Sequence, residues 1–228
     1  IIAVGGVFST LQVLPLLLLT LDAWRMKSEA GRAKSHVAAG RQVFVMEGVW
    51  LFVLAVNFWN IFGAGVFGSL INLPIVNYYE HATYMTGNHA HAAMFGVKGN
   101  IALGGMLFCG QHLLPKALWN EKLIKTSFWS LQIGLLMMMT MDLFPIGMYQ
   151  LMIVFQEGLW YARSQEILTG PVWRFFTYAR SIGGTLFIVG GVFPLIWLFV
   201  SRAGSLRKET PELEQEGEWT VYEKDWAA

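Results

Sequence analysis

The sequence predicts an all-α fold: a polytopic membrane helix bundle with five transmembrane helices. Three observations carry this. The chain is 55% hydrophobic and 14% charged, with a mean hydropathy of +0.48, whereas soluble domains average about a quarter charged. Five apolar runs, at 1–24, 43–66, 84–113, 127–158 and 173–200, reach the roughly 20 residues that a bilayer-crossing helix needs. The connections alternate in charge. Arg25, Lys27, Arg32, Lys34 and Arg41 lie in 25–42, Lys116, Lys122 and Lys125 near 114–126, and Arg202, Arg207 and Lys208 after the last run. The 67–83 connection has no Lys or Arg, and 159–172 has Arg163 alone. Basic loops stay on the cytoplasmic side. The expected topology is an outer N-terminus and a cytoplasmic C-terminus in a cell inner (cytoplasmic) membrane.

Run by run, the polar residues stand out because they are costly at membrane depth. The first run starts at Ile1 with neither an initiator Met nor a basic leader, so it lacks the form of a signal peptide and reads as the C-terminal part of a longer chain. It carries Gln12 and Pro15. The second has Glu47 near its basic end and Asn57 and Asn60 deeper; such amides suit helix–helix hydrogen bonds. The third carries His89, His91, Lys98 and the single cysteine, Cys109, which cannot form an intrachain disulfide and reads as a packing residue. The fourth has Asp142 ahead of Pro145, which is expected to kink the helix. Lys98 follows His91 by seven residues, almost two α-helical turns, so the two share a face about 10 Å apart. Lys98 and Asp142 are candidates for a buried ion pair between spans; a proton route or a contact to cofactor propionates is the alternative. Residues 1–203 form the membrane domain, and 204–228, with Glu212, Glu214, Glu216 and Glu218, a polar cytoplasmic tail. The net charge is +1 with no basic, aromatic-interleaved stripe, so nucleic acid is not an expected partner.

The most informative segment is 81–91, which holds His81, His89 and His91, three of the five histidines. Two residues along an α-helix turn the side chain by about 200°, so His89 and His91 point to opposite sides. That suits two separate metal centres, since one shared ion is usually held by i, i+4 pairs. The competing reading is a pair of satisfied polar residues at a helix end. Gly87, Ala90, Ala92, Gly96 and Gly99 surround the pair, and small residues allow a flat group to approach the backbone. Heme is such a group, and histidine is a common axial ligand.

The same residues resemble a known family. Val76-Asn77-Tyr78-Tyr79-Glu80-His81-Ala82-Thr83 followed by His89-Ala90-His91 is similar to the P-V-N-Y-Y-T-H-G-T and H-G-H stretches of the large subunit of respiratory nitric oxide reductases, members of the heme–copper oxidase superfamily. Val7-Phe8-Ser9 with Leu14-Pro15 resembles that family's V-F-S-A-L-E-P-L-P helix, and Gly63-Ala64-Gly65-Val66 its G-A-G-V segment. Glu157-Gly158-Leu159-Trp160-Tyr161-Ala162-Arg163-Ser164 resembles the H-G-L-W-Y-A-R-S of quinol-dependent reductases. The resemblance covers nearly all of 1–203.

It implies that this chain supplies the last five helices of a twelve-helix core. It implies that His89 is the axial ligand of a high-spin heme b3 and His91 of a low-spin heme b. It places His81 and Thr83 by the outer heme ends, with loop capping as their alternative. The non-heme iron takes ligands mostly upstream, from the N-terminal remainder of the same polypeptide. Expected partners are nitric oxide, membrane lipid and a quinol or cytochrome electron donor. The implied reaction is 2 NO + 2 e⁻ + 2 H⁺ to N₂O and water. Gln12 replaces the family's glutamate, a catalytic-site position, and glutamine does not titrate near neutrality. Nitric oxide dismutation, 2 NO to N₂ and O₂, needs no net protons or electrons and is the alternative. Glu80, Asn88 and Lys98 also depart from the reductase pattern. An oxygen-reducing terminal oxidase shares the H-x-H, but the Asn77-Tyr78-Tyr79 context disfavours it. A transporter or scaffold would carry no heme, and no inverted repeat is visible.

Overall fold

The computed structural model describes residues 2–36, 47–114 and 119–202; the 204–228 tail lies outside them. The described elements are helical throughout. Five helices are long and apolar enough to cross a membrane: α1 (Val4–Asp22), α2 (Gly48–Ile71), α3 (Tyr84–Gln111), α4 (Glu121–Glu157) and α5 (Pro171–Val200). Two helices run five or six residues beyond the hydropathy reading. α4 starts at Glu121 because Asn120 caps it, accepting the Leu123 N–H at 3.1 Å, with Glu121 in the positive first turn. α2 runs on to Ile71 because the next breaker is Pro74, which opens the short helix Pro74–Glu80.

α4 is the centre of the bundle and packs on α2, α3 and α5, while α1 lies along the edge of α2. Phe52, Val56, Trp59, Leu107, Phe128, Leu131 and Leu135 form the shared core. Outward faces are apolar, and α1 is almost wholly exposed. Cys109 is exposed on α3 rather than packed.

Polar side chains tie the spans together. Asn57 Nδ2 donates to Thr20 Oγ1, and Asn60 Nδ2 to the Gln12 carbonyl at 3.4 Å, joining α2 to α1. Trp59 Nε1 donates to Gln132 Oε1 (2.7 Å), Gln132 Nε2 to Asn100 Oδ1 (2.8 Å) and Asn100 Nδ2 to the Gly96 carbonyl (2.7 Å). This chain of amides links α2, α4 and α3, as expected where water cannot satisfy polar groups.

Three helices deviate at proline. Pro has no N–H and clashes with the carbonyl four residues earlier. Upstream of Pro145 and Pro194 the backbone widens into π-helical stretches, Met139–Leu143 and Leu186–Val192. The deviation expected at Pro145 is therefore a π-bulge. Ahead of Pro15 the chain leaves the helix at Gln12, between Ile2–Leu11 and Val13–His36. Two further π stretches, Asn60–Gly65 and Ala92–Gly99, face each other across the α2–α3 contact. A Cβ on Gly63 would lie 2.2 Å from Ala92 Cβ, and one on Gly96 2.5 Å from Trp59 Cγ. Gly96 thus admits Trp59, and Gly99 its own Phe95.

The loop before α3 holds a strained residue. Ala82 has φ +62°, the one positive value on a non-glycine among the described residues, where the resembling family has glycine. A Cβ there costs about 1–2 kcal/mol, partly offset by glycine's larger unfolded entropy. Ala82→Gly is expected to stabilise the protein by up to about 1 kcal/mol, read as a rise in thermal midpoint in detergent; a fall would show that the loop needs the methyl group.

Candidate functional site

α3 opens with Thr83 as its N-cap: the Thr83 oxygen accepts the Met85 N–H at 3.3 Å and its hydroxyl donates to the Glu80 carbonyl at 2.7 Å. Two turns in, His89 and His91 diverge. His89 Nδ1 meets the Gly63 carbonyl on α2 at 3.1 Å, with its ring against Gly68 and 6.3 Å from Phe67. His91 Nδ1 meets the Gly87 carbonyl of its own helix at 2.9 Å. Gly87 shares that face and looks toward Leu143 of α4. His89 therefore addresses α2 and His91 addresses α4.

A carbonyl only accepts, so the ring nitrogen that bonds to it is the donor, and in a neutral imidazole that arrangement leaves the lone pair on Nε2. This is the orientation that metal-ligating histidines generally have, with the distal ring nitrogen anchored to a backbone carbonyl. The donor set fits two axial heme positions, one on each side of α3. Among the described residues no group of three His, Cys, Asp or Glu side chains could hold a further ion.

Gln12 has an exposed side chain, and its carbonyl meets Asn60. Gly63, the partner of His89, lies three residues further along the same π stretch, Asn60–Gly65. His81 is exposed at the end of Pro74–Glu80, whereas Thr83 is buried in its capping role.

Lys98 and Asp142 do not pair. Lys98 is exposed, while fully buried Asp142 meets Arg180 of α5 at 3.5 Å. The physical reason is the π-helical stretch Ala92–Gly99: i→i+5 bonding turns each residue less than an α-helix does, so seven residues no longer bring Lys98 back beneath His91. Arg180 was not singled out by sequence. Its only signal is a cation within an apolar run.

The N-terminal end of α3 holds a second set of contacts that sequence reasoning missed. Gln150 of α4 accepts the Tyr84 N–H (2.9 Å) and donates to the Ala162 carbonyl (3.1 Å), and Arg163 donates to the Ala82 carbonyl (2.8 Å). Glu80 is buried, 2% exposed, and accepts from Thr86 Oγ1 at 3.1 Å. Burial pushes its carboxyl above the ordinary value, opposed by the Thr86 hydrogen bond and the His81 charge. A raised folded-state value means that the stabilising contribution is full below the ordinary carboxylate range and is lost as pH rises through the raised one. Amides of Thr83–Gly87 are expected to exchange faster with deuterium, beyond the intrinsic base effect, as pH rises through that window. Glu80→Gln should flatten the dependence; an identical profile in the variant would rule Glu80 out as its source.

The family model for cytochrome c and quinol oxidase polypeptide I matches residues 1–186. A nitric oxide reductase subunit from Stutzerimonas stutzeri is 26% identical over 194 residues, which cover 82% of this chain and 38% of that relative. The chain thus spans well under half the length of the curated relative it matches. With five spans and the H-x-H pair at the head of the third, this multi-pass membrane chain belongs to the cytochrome c and quinol oxidase polypeptide I family, within the heme–copper oxidase superfamily.

Proposed function

We propose that this chain is part of a membrane oxidoreductase of the nitric oxide reductase type, converting two NO to N₂O and water with two electrons and two protons. The observation that carries the reading is the divergence of His89 and His91, each with Nδ1 against a backbone carbonyl, in a chain similar to a nitric oxide reductase subunit. His89 holds the high-spin heme b3 and His91 the low-spin heme b. Bound there, with a non-heme iron whose ligands come from outside this chain, these groups supply NO binding and electron delivery. The Gly63 and Gly87 carbonyls fix ring orientation and keep the ligand nitrogens basic. The spans exclude bulk water. His81 lies toward the outer ends of the hemes, and Thr83 holds the start of α3. The electron donor is a quinol or a cytochrome, the enzyme sits in the inner membrane, and the C-terminus is cytoplasmic.

Gln12 favours a second reading within the same class, dismutation of 2 NO to N₂ and O₂. An amide can hydrogen-bond but does not titrate near neutral pH, and this reaction needs no net protons. The complete protein in anaerobic membranes, fed ¹⁵N-labelled NO, separates them. Labelled N₂O that requires added quinol supports the reductase; labelled N₂ with O₂ and no reductant supports the dismutase. Under the reductase reading Gln12→Glu should raise N₂O formation about tenfold or more, since a positioned proton-transfer group contributes about 10²–10⁴. Unchanged product and rate would remove Gln12 from the chemistry. Membranes with no b-type heme spectrum attached to the protein would overturn both readings.

A further inference from the structure

Asp142 is the most deeply buried carboxylate among the described residues, with no exposed surface, inside the π-helical stretch Met139–Leu143 of α4. Neither of its oxygens makes a close hydrogen bond, Arg180 Nη1 standing 3.5 Å from Oδ2, although buried polar atoms in native proteins nearly always have a close partner. Its contact to Arg180 is a 3.5 Å charge contact, and the guanidinium is 38% exposed. A pair that served only to dock α5 on α4 would be expected to close with direct hydrogen bonds. The α3 face carrying Gly87 and His91 packs against this stretch, with Gly87 looking onto Leu143, the residue next to Asp142. His89 faces the other way, toward Gly63. Ionisable groups at membrane depth generally mark function, and π-bulges often coincide with functional sites.

We propose that the Asp142–Arg180 pair is an electrostatic positioning device for the group on His91, setting its reduction potential relative to the group on His89. The inference rests on the reading of His91 as a heme ligand. An ionised Asp142 on the His91 side would stabilise the oxidised, more positive state of a metal held there, and the guanidinium would limit the effect. The charge acts unequally on the two centres because α3 separates them. Asp142 is a positioning residue: it acts through the field at His91 and touches no substrate.

The test is potentiometric titration of the complete, heme-loaded protein in membranes, following the low-spin and high-spin spectra separately. Asp142→Asn keeps shape and removes the charge. The low-spin centre is expected to become at least tenfold easier to reduce at a fixed potential, a rise of about 59 mV for one electron, with a smaller shift at the high-spin centre. Arg180→Gln should shift the low-spin centre the opposite way, and it serves as the readout if Asp142→Asn fails to assemble. A purely structural pair would lower thermal stability and leave both potentials in place. An intact low-spin spectrum with an unchanged potential in Asp142→Asn, or in Arg180→Gln where that is the readout, overturns the proposal. His91→Ala separates this failure from that of the underlying reading: if the low-spin spectrum survives there, His91 is not the ligand.

Discussion

Replacing His91 with alanine is expected to abolish the low-spin b-type spectrum and leave high-spin heme in place; His89→Ala should do the reverse. On the proposed function, each is also expected to abolish most NO turnover, because losing an axial ligand would remove either the reaction centre or its electron supply. The asymmetry follows from geometry. His89 is anchored to α2 through the Gly63 carbonyl and His91 within α3 through the Gly87 carbonyl, so neither ring can swing across the helix to substitute for the other. Optical and magnetic spectra of the assembled variants check this. If either single variant lost both hemes while remaining folded, or if either retained both, the one-histidine-per-heme assignment would fail.

The second large effect is expected at the α2–α3 contact. Gly63→Ala would put its methyl group 2.2 Å from Ala92 Cβ. Ala92 is fully buried, so the helices must separate. Overpacking of this kind costs about 1–3 kcal/mol. Separation would also carry the Gly63 carbonyl away from His89, so heme on the His89 side should become less occupied. Ala92→Gly alone removes one buried methyl group and should be mildly destabilising. Combined with Gly63→Ala it should restore most of the loss, because residues in direct contact couple. Thermal midpoints and heme occupancy across the four proteins of this cycle provide the check; simple additivity would mean that the contact does not set the helix spacing.

Much of the membrane architecture was legible in the linear sequence, for a physical reason. A bilayer-crossing helix satisfies its own backbone hydrogen bonds and needs only length and apolar composition, both of which are local properties. All five spans were therefore found, with errors at ends where the signal was not hydropathy: the Asn120 cap carried α4 back to Glu121, and α2 continued to Ile71. The opposite directions of His89 and His91 were legible as well, because a two-residue offset lies within one helical turn, before the π-helical stretch begins at Ala92.

Seven residues was already too far. The π stretch Ala92–Gly99 turned Lys98 onto the exposed face, and the buried carboxylate of Asp142 met Arg180 instead. Nothing in the local sequence around Asp142 distinguishes Lys98 from Arg180 as its partner; the choice depends on how α4 lies between α3 and α5. The same holds for Gly96, which admits Trp59, and for Ala82, tied to Arg163 and held at a positive φ. By itself the sequence determined the five membrane-length helices among the described residues and the directions of His89 and His91, all set by forces acting within a few residues. Tertiary structure alone decided which polar groups share an interface, because partners distant in sequence meet only where helix spacing and π-helical rotation bring them together.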